Sequence, residues 1–167
     1  MKQITFGLSI KEVNSAINEL RKYRMTIEER LLSLSQVLAN HGKDAVIQSI
    51  GEVVIHANVA EMLKAGVDSV YDPSTGVVVI FNSVPWAAYV EFGTGIVGRG
   101  SPHPMGEGYL GWYYDIHEHG FMGWWYYLGG NLHHTWGQES QPFMYLAGQR
   151  LREDIRRIVR DHLGGTK

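Results

Sequence analysis

The chain has no cysteine, which excludes disulfides, iron–sulfur clusters, thiolate zinc sites and cysteine nucleophiles together. It also lacks an excess of either charge: 15 Lys and Arg stand against 17 Asp and Glu, a formal net charge of −2. A protein that grips nucleic acid through a dominant basic field is excluded on that count. Charged residues of all kinds reach only 19%, below the roughly 25% of an ordinary soluble domain. Less of the surface is therefore purely solvated, and more is open to contact with other chains. No stretch approaches the ~18 consecutive apolar residues that span a bilayer, and residues 1–8 are too short and too interrupted for a signal peptide. The expectation is a soluble protein made in the cytoplasm. Three catalytic signatures are missing as well: the nucleophile elbow G-x-S-x-G, the zinc helix H-E-x-x-H and a glycine-rich loop ending in G-K-[ST].

Hydrophobic residues make up 44% of the 167 residues and aromatic residues 11%, enough for one globular domain, 1–167, with a real core. Residues 3–8 read as a strand. Ser9 with Glu12 forms a capping box that opens a short helix, striped by Ile10, Val13, Ile17 and Leu20. Thr26 with Glu29 reads as a second capping box, opening a longer helix to Ile50 with Ile27, Leu31, Leu34, Leu38 and Ala45 on one face; Gly51 is its expected stop. Residues 52–65 fit either an extended piece or a helix. A strand ending at Tyr71, a turn over residues 72–76 and a strand over residues 77–81 follow. The β-branched run of that second strand predicts burial on both faces. Residues 85–92 form a helical turn or two, closed by Gly93-Thr94-Gly95, and residues 142–163 form a helix opened by Pro142. The fold class expected is α+β: a small antiparallel sheet packed on a long N-terminal helix and a C-terminal helix.

Between these elements lies a loop of about residues 96–137. It holds ten of the 20 glycines, four of the five tryptophans, five of the eight histidines and no lysine. An irregular segment of this length inside a compact domain is usually functional. Its histidines, His103, His117, His119, His133 and His134, with Glu118, offer nitrogen and oxygen ligands for a transition metal, but no strong spacing template. Glu91 with Glu107 or Asp115 offers a carboxylate pair, though nothing in the sequence brings two of them together. The aromatics are more telling. Trp112, Trp124, Trp125 and Trp136, with their tyrosine and phenylalanine neighbours, are too many for a solvated loop, and the low lysine content suits an interface core. Stacking on nucleic acid or sugar rings is a further reading, but the basic groove that accompanies base stacking is absent.

Two motifs carry a resemblance. Trp86-Ala87-Ala88-Tyr89-Val90-Glu91-Phe92-Gly93-Thr94-Gly95 resembles the Y-A-x-Y-V-E-F-G-T-G signature of a neck and tail-completion, or head–tail joining, protein family of long-tailed phages, the gene-product-ten-like family. Gln141-Pro142-Phe143-Met144-Tyr145-Leu146-Ala147 is similar to the Q-P-F-[ML]-x-x-A segment that opens the C-terminal helix of that family. The resemblance implies a non-enzymatic virion protein, assembled in the host cytoplasm, that forms or completes a ring at the head–tail junction. Its implied partners are copies of itself, six by the usual symmetry of such rings, and neighbouring head-closure and tail-terminator or tail-tube proteins. DNA passes through the channel without sequence-specific binding, and no cofactor, metal or membrane is implied. Tyr89 and Phe92 would anchor the start of the loop, Gly93 and Gly95 would supply backbone freedom, and the four loop tryptophans would supply contact area. The alternative carried by the loop histidines is a metal-assisted hydrolase.

Overall fold

The computed structural model describes residues 9–114 and 120–164, so the strand expected at residues 3–8 lies outside the described residues. Ser9 opens α1 as foreseen: its Oγ accepts from the Glu12 N–H at 3.3 Å, and the Glu12 carboxylate accepts from the Ser9 N–H at 3.3 Å. The helix then runs without interruption over Ile10–Glu52, 43 residues, or about 64 Å. The second helix start at Thr26 is therefore corrected. Thr26 sits within the helix, and its Oγ1 donates back to the Lys22 carbonyl at 3.0 Å, an alternative the sequence pattern does not separate from a cap. Residues 10–41 contain neither glycine nor proline, so nothing in the backbone forces a break.

The ambiguous stretch resolves into a bend and α2, Ala57–Ala65. Strands β1, Val67–Asp72, and β2, Val77–Asn82, pair antiparallel from Val67↔Asn82 to Asp72↔Val77. Their turn is held by the Asp72 carboxylate, which accepts from the Ser74 N–H and hydroxyl and from the Thr75 hydroxyl. Gly76 takes φ +71° there. The expectation of a strand buried on both faces is corrected: Val78 and Ile80 turn inward, while Val77, Val79 and Phe81 are exposed. Among the described residues the hairpin has one helix layer against it and no second layer, so alternate residues face out.

After α3, Ala87–Phe92, comes α4, Gly95–Gly100, and then a 3₁₀ turn at Tyr109–Gly111. The long loop is not structureless. It ends in a second antiparallel hairpin, β3 (Trp124–Leu128) with β4 (Asn131–Thr135), followed by the two-residue β5 (Gly137–Gln138). Helix α5, Phe143–Leu163, closes the fold. It lies antiparallel on the C-terminal half of α1: Arg150 reaches Ser49 at 3.1 Å and pairs with Glu52, while Ile158 and His41 line one crevice further along. Gly42 permits the close approach of β2 to α1, since a Cβ there would collide with Ile80, while Leu151 of α5 would lie at ordinary contact distance. The core is Val46, Ile50, Leu63, Ala87, Val90, Phe143 and Ala147. The fold is thus α+β, with the β1–β2 hairpin against the long helix. Among the described residues no helix is long and apolar enough to cross a membrane.

Candidate functional site

The two motifs meet. Helix α5 begins at Phe143 with Pro142 at its N-cap, where proline has no side chain able to satisfy the open N–H groups. Glu91, the last residue but one of α3, does so from across the fold. Its carboxylate accepts from the Met144 N–H at 2.8 Å and the Tyr145 N–H at 3.0 Å, and its negative charge faces the positive end of the helix dipole. Gln141 completes the join: its N–H donates to the Val90 carbonyl at 2.8 Å and its Oε1 accepts from the Val54 N–H at 2.9 Å. Ser140 Oγ donates to the Glu91 carbonyl at 2.6 Å. Phe143 is fully buried beneath.

His103 comes from the long loop to the same place. Its Nδ1 accepts from the Met105 N–H at 3.2 Å, so Nε2 carries the ring proton and donates to Glu91 Oε1, also at 3.2 Å. The Tyr114 hydroxyl accepts from the His103 N–H at 3.0 Å. All three residues are buried. Burial pushes the Glu91 carboxyl above its usual range, opposed by the Met144 and Tyr145 N–H groups and by His103.

Around this polar knot the aromatics form a cluster. Phe92 stacks on Trp112 with centroids 5.3 Å apart, and lies 4.8 Å from His103; Tyr89 meets Trp112 edge-on at 5.6 Å. Trp112 Nε1 donates to the Gly93 carbonyl at 3.2 Å. Trp112 is therefore part of the join, and the loop tryptophans divide into two sets. Trp124 is half-buried near Gly95, whereas Trp125 and Trp136 are 63% and 52% exposed and flank His134 at 4.7 and 4.5 Å. Trp86, at the N-cap of α3, packs against the core.

Gly93-Thr94-Gly95 is a closely packed crossing. Thr94 and Gly95 bridge to Gln138 and Gly137, and Thr94 Oγ1 accepts from the Gln138 N–H at 3.2 Å. Gly93 has φ +76°, and a Cβ on it would lie 2.7 Å from the Ser140 nitrogen; Gly95 has φ +61° and faces the Trp136 carbonyl. These glycines hold the entry and exit of the loop together, with φ values that only glycine takes at low cost.

A cavity of about 440 Å³ opens beside the join, bordered by Ile80, Phe92, His103, Leu110, Tyr145 and Arg152. Its polar floor is already committed: both His103 nitrogens and both Glu91 oxygens have partners within the fold. The pairing of Glu91 with Glu107 does not describe the site, since His103 is the neighbour of Glu91 and Glu107 is exposed. Asp115, His117, Glu118 and His119 lie outside the described residues. Among the described residues no three of His, Asp and Glu gather as a metal site; His134 bonds the Met122 carbonyl and His133 stacks on Tyr126. The sequence reading missed His103, Tyr114 and Ser140 as structural partners, because no spacing rule links them to residues 90 or 91.

The hairpin beyond the crossing is the most exposed apolar part of the site. Phe121, Met122, Trp125, Tyr127 and Leu132 are all open to solvent. No family model matches the chain, and no curated protein or solved structure is significantly similar to it.

Proposed function

We propose that the chain is a structural subunit of a tailed-phage virion, forming or completing a ring at the head–tail junction through which DNA passes. The observation that carries this reading is the aromatic β3–β4 hairpin: a solvent-exposed apolar arm held at its base by a rigid join. A contiguous exposed aromatic surface of this kind marks a binding face. The outer face of the first hairpin, with Val70, Val77, Val79 and Phe81 exposed, is a second and unlike apolar surface. A ring subunit needs such a pair, because a head-to-tail contact joins two different patches on identical copies. The resemblance of residues 86–95 and 141–147 to the head–tail joining family supports the same reading.

In this account the chain performs no chemistry. The Glu91 join fixes the angle of the arm, and the arm reaches an adjacent copy or the neighbouring head-closure or tail-side ring. Six copies close the ring, in the virion neck, after assembly in the host cytoplasm. The near-neutral charge suits a channel that must let DNA slide, since no excess of basic side chains is present to hold its phosphates. The test is to replace residues 125–134 with an Asn-Gly turn, which spares the buried His103 and Tyr114 and the half-buried Trp112. The altered chain is expected to keep its helicity and melting transition while heads and tails fail to join. Infectious particles at the normal yield would overturn the proposal.

A further inference from the structure

Toward its N-terminus α1 runs past the end of α5, with Ala16 buried and Val13 half-buried near its start. Helix α5 runs antiparallel to α1 from Glu52 and ends at Leu163, beside the middle of the longer helix. Every residue from 17 to 33 is exposed. An isolated helical segment of this size is marginal in water, and in proteins helices draw most of their stability from packing an apolar face. This segment has one. Because α1 is continuous, the two short stripes read from the sequence join into a single run: Ile10, Val13, Ile17, Leu20, Arg24, Ile27 and Leu31, spaced alternately three and four. That is a strict heptad pattern, the narrow seam of a coiled coil, unlike the wider stripe of a helix lying on a globular body. Its apolar members are far from covered: Ile10 is 83% exposed, Leu20 55% and Leu31 50%.

The charges select the occupant. Arg24 is the single polar residue in the seam, a position that fixes register and orientation in coiled coils. Two copies side by side in parallel would set Arg24 against Arg24, whereas antiparallel copies set each Arg24 against an apolar seam residue of the other. Arg21 and Glu28 occupy equivalent flanking positions one heptad apart. An antiparallel pair brings these flanks together, so Arg21 of each copy meets Glu28 of the other, which within its own helix pairs with Arg24 at 2.7 Å. We propose that the overhanging half of α1 pairs with the same segment of a second copy as an antiparallel two-stranded coiled coil, making the free protein a dimer. A closed ring gives all copies one direction, so this dimer is the form before assembly and opens as assembly proceeds. The dimer does not rest on the ring reading; its opening on assembly does.

Sedimentation velocity on the full chain at tens of micromolar tests it. The expected species has twice the 18.8 kDa mass, and the double variant Leu20→Glu/Ile27→Glu sediments as a monomer with lower helicity but an unchanged body melting transition. Spin labels at Ser15→Cys and Ser33→Cys on separate copies are expected to lie close, and two labels at position 15 far apart. The absence of native cysteine makes that labelling clean. A wild-type monomer overturns the proposal; if deleting residues 1–8 then yields dimer, the seam's occupant is the chain's own amino terminus. A dimer that survives the double variant, or one lost only on Trp125→Ala, also overturns it, the latter placing self-association on the hairpin.

Discussion

Glu91 and Met144 stand 53 positions apart in the chain, and the Met144 N–H donates to the Glu91 carboxylate at 2.8 Å. That bond, with its companion from the Tyr145 N–H, makes the short helix α3 the cap of the C-terminal helix α5. The two sequence motifs are thus one structural device, and the long loop leaves and re-enters the fold at its edge.

Truncating the cap should be felt throughout. Glu91→Ala leaves the part-buried Met144 and Tyr145 N–H groups and the buried His103 Nε2–H without their acceptor. Each unsatisfied buried donor costs about 1–3 kcal/mol, so a loss of about 3 kcal/mol is expected from urea unfolding. A loss under about 1 kcal/mol would mean that the cap is not structural.

The pH dependence follows from the raised Glu91 carboxyl. Burial is the main cause of the shift, against the pull of the Met144 and Tyr145 N–H groups and of His103. A group that holds its proton more tightly when folded adds stability that is complete below its unfolded pKa, about 4.3 for a glutamate. That contribution is lost as pH rises through the higher folded value. The urea midpoint of the wild type should fall relative to that of Glu91→Gln as pH rises across this window, because glutamine does not titrate. Parallel curves would contradict the shift.

Glycine at the crossing should matter more than glycine at the hairpin tip. Gly137 has φ +105°, and a Cβ on it would collide with the Thr94 carbonyl; Gly129 has φ +60° with open space around it. Gly129→Ala is expected to cost about 1–2 kcal/mol, the ordinary penalty of a left-handed residue. Gly137→Ala should cost more and raise hydrogen exchange at the Gln138 amide, which now donates to Thr94.

The tryptophans should separate by role. Trp112→Ala removes a ring packed on Phe92 and Tyr89 and a donor to Gly93; about 3 kcal/mol is expected, at the lower end of the range for large aromatic truncations. Trp125→Ala and Tyr127→Ala, at residues 63% and 77% exposed, should change stability by no more than about 0.5 kcal/mol. Thermal melts read the first effect, and a head–tail joining assay should read the second.

Much of the frame was legible because it obeys local rules. The Ser9–Glu12 box, the Asp72–Gly76 turn and the C-terminal helix each rest on neighbours in sequence, and each lies where the pattern put it. Thr26 misled because a threonine followed by glutamate three residues on looks alike at a cap and inside a helix. The valine run of β2 misled because β-branched residues report strand geometry and say nothing of how many layers cover it. The β3–β4 hairpin was obscured by glycine content, although Gly129-Gly130 between two aromatic-rich runs is a hairpin turn signal. The motif residues were visible singly, but the meeting of Glu91, His103 and the start of α5 is tertiary and has no signature in spacing.

The central claim is that this chain is a ring subunit whose aromatic arm grips a neighbour at the head–tail junction. A cryo-EM map of the neck of a particle that carries the protein tests it most directly. The account predicts a closed ring of this fold around the channel, with Trp125, Tyr127 and Trp136 buried against an adjacent subunit or ring. A neck without this fold, or a ring in which the β3–β4 hairpin stands free in solvent, would contradict it.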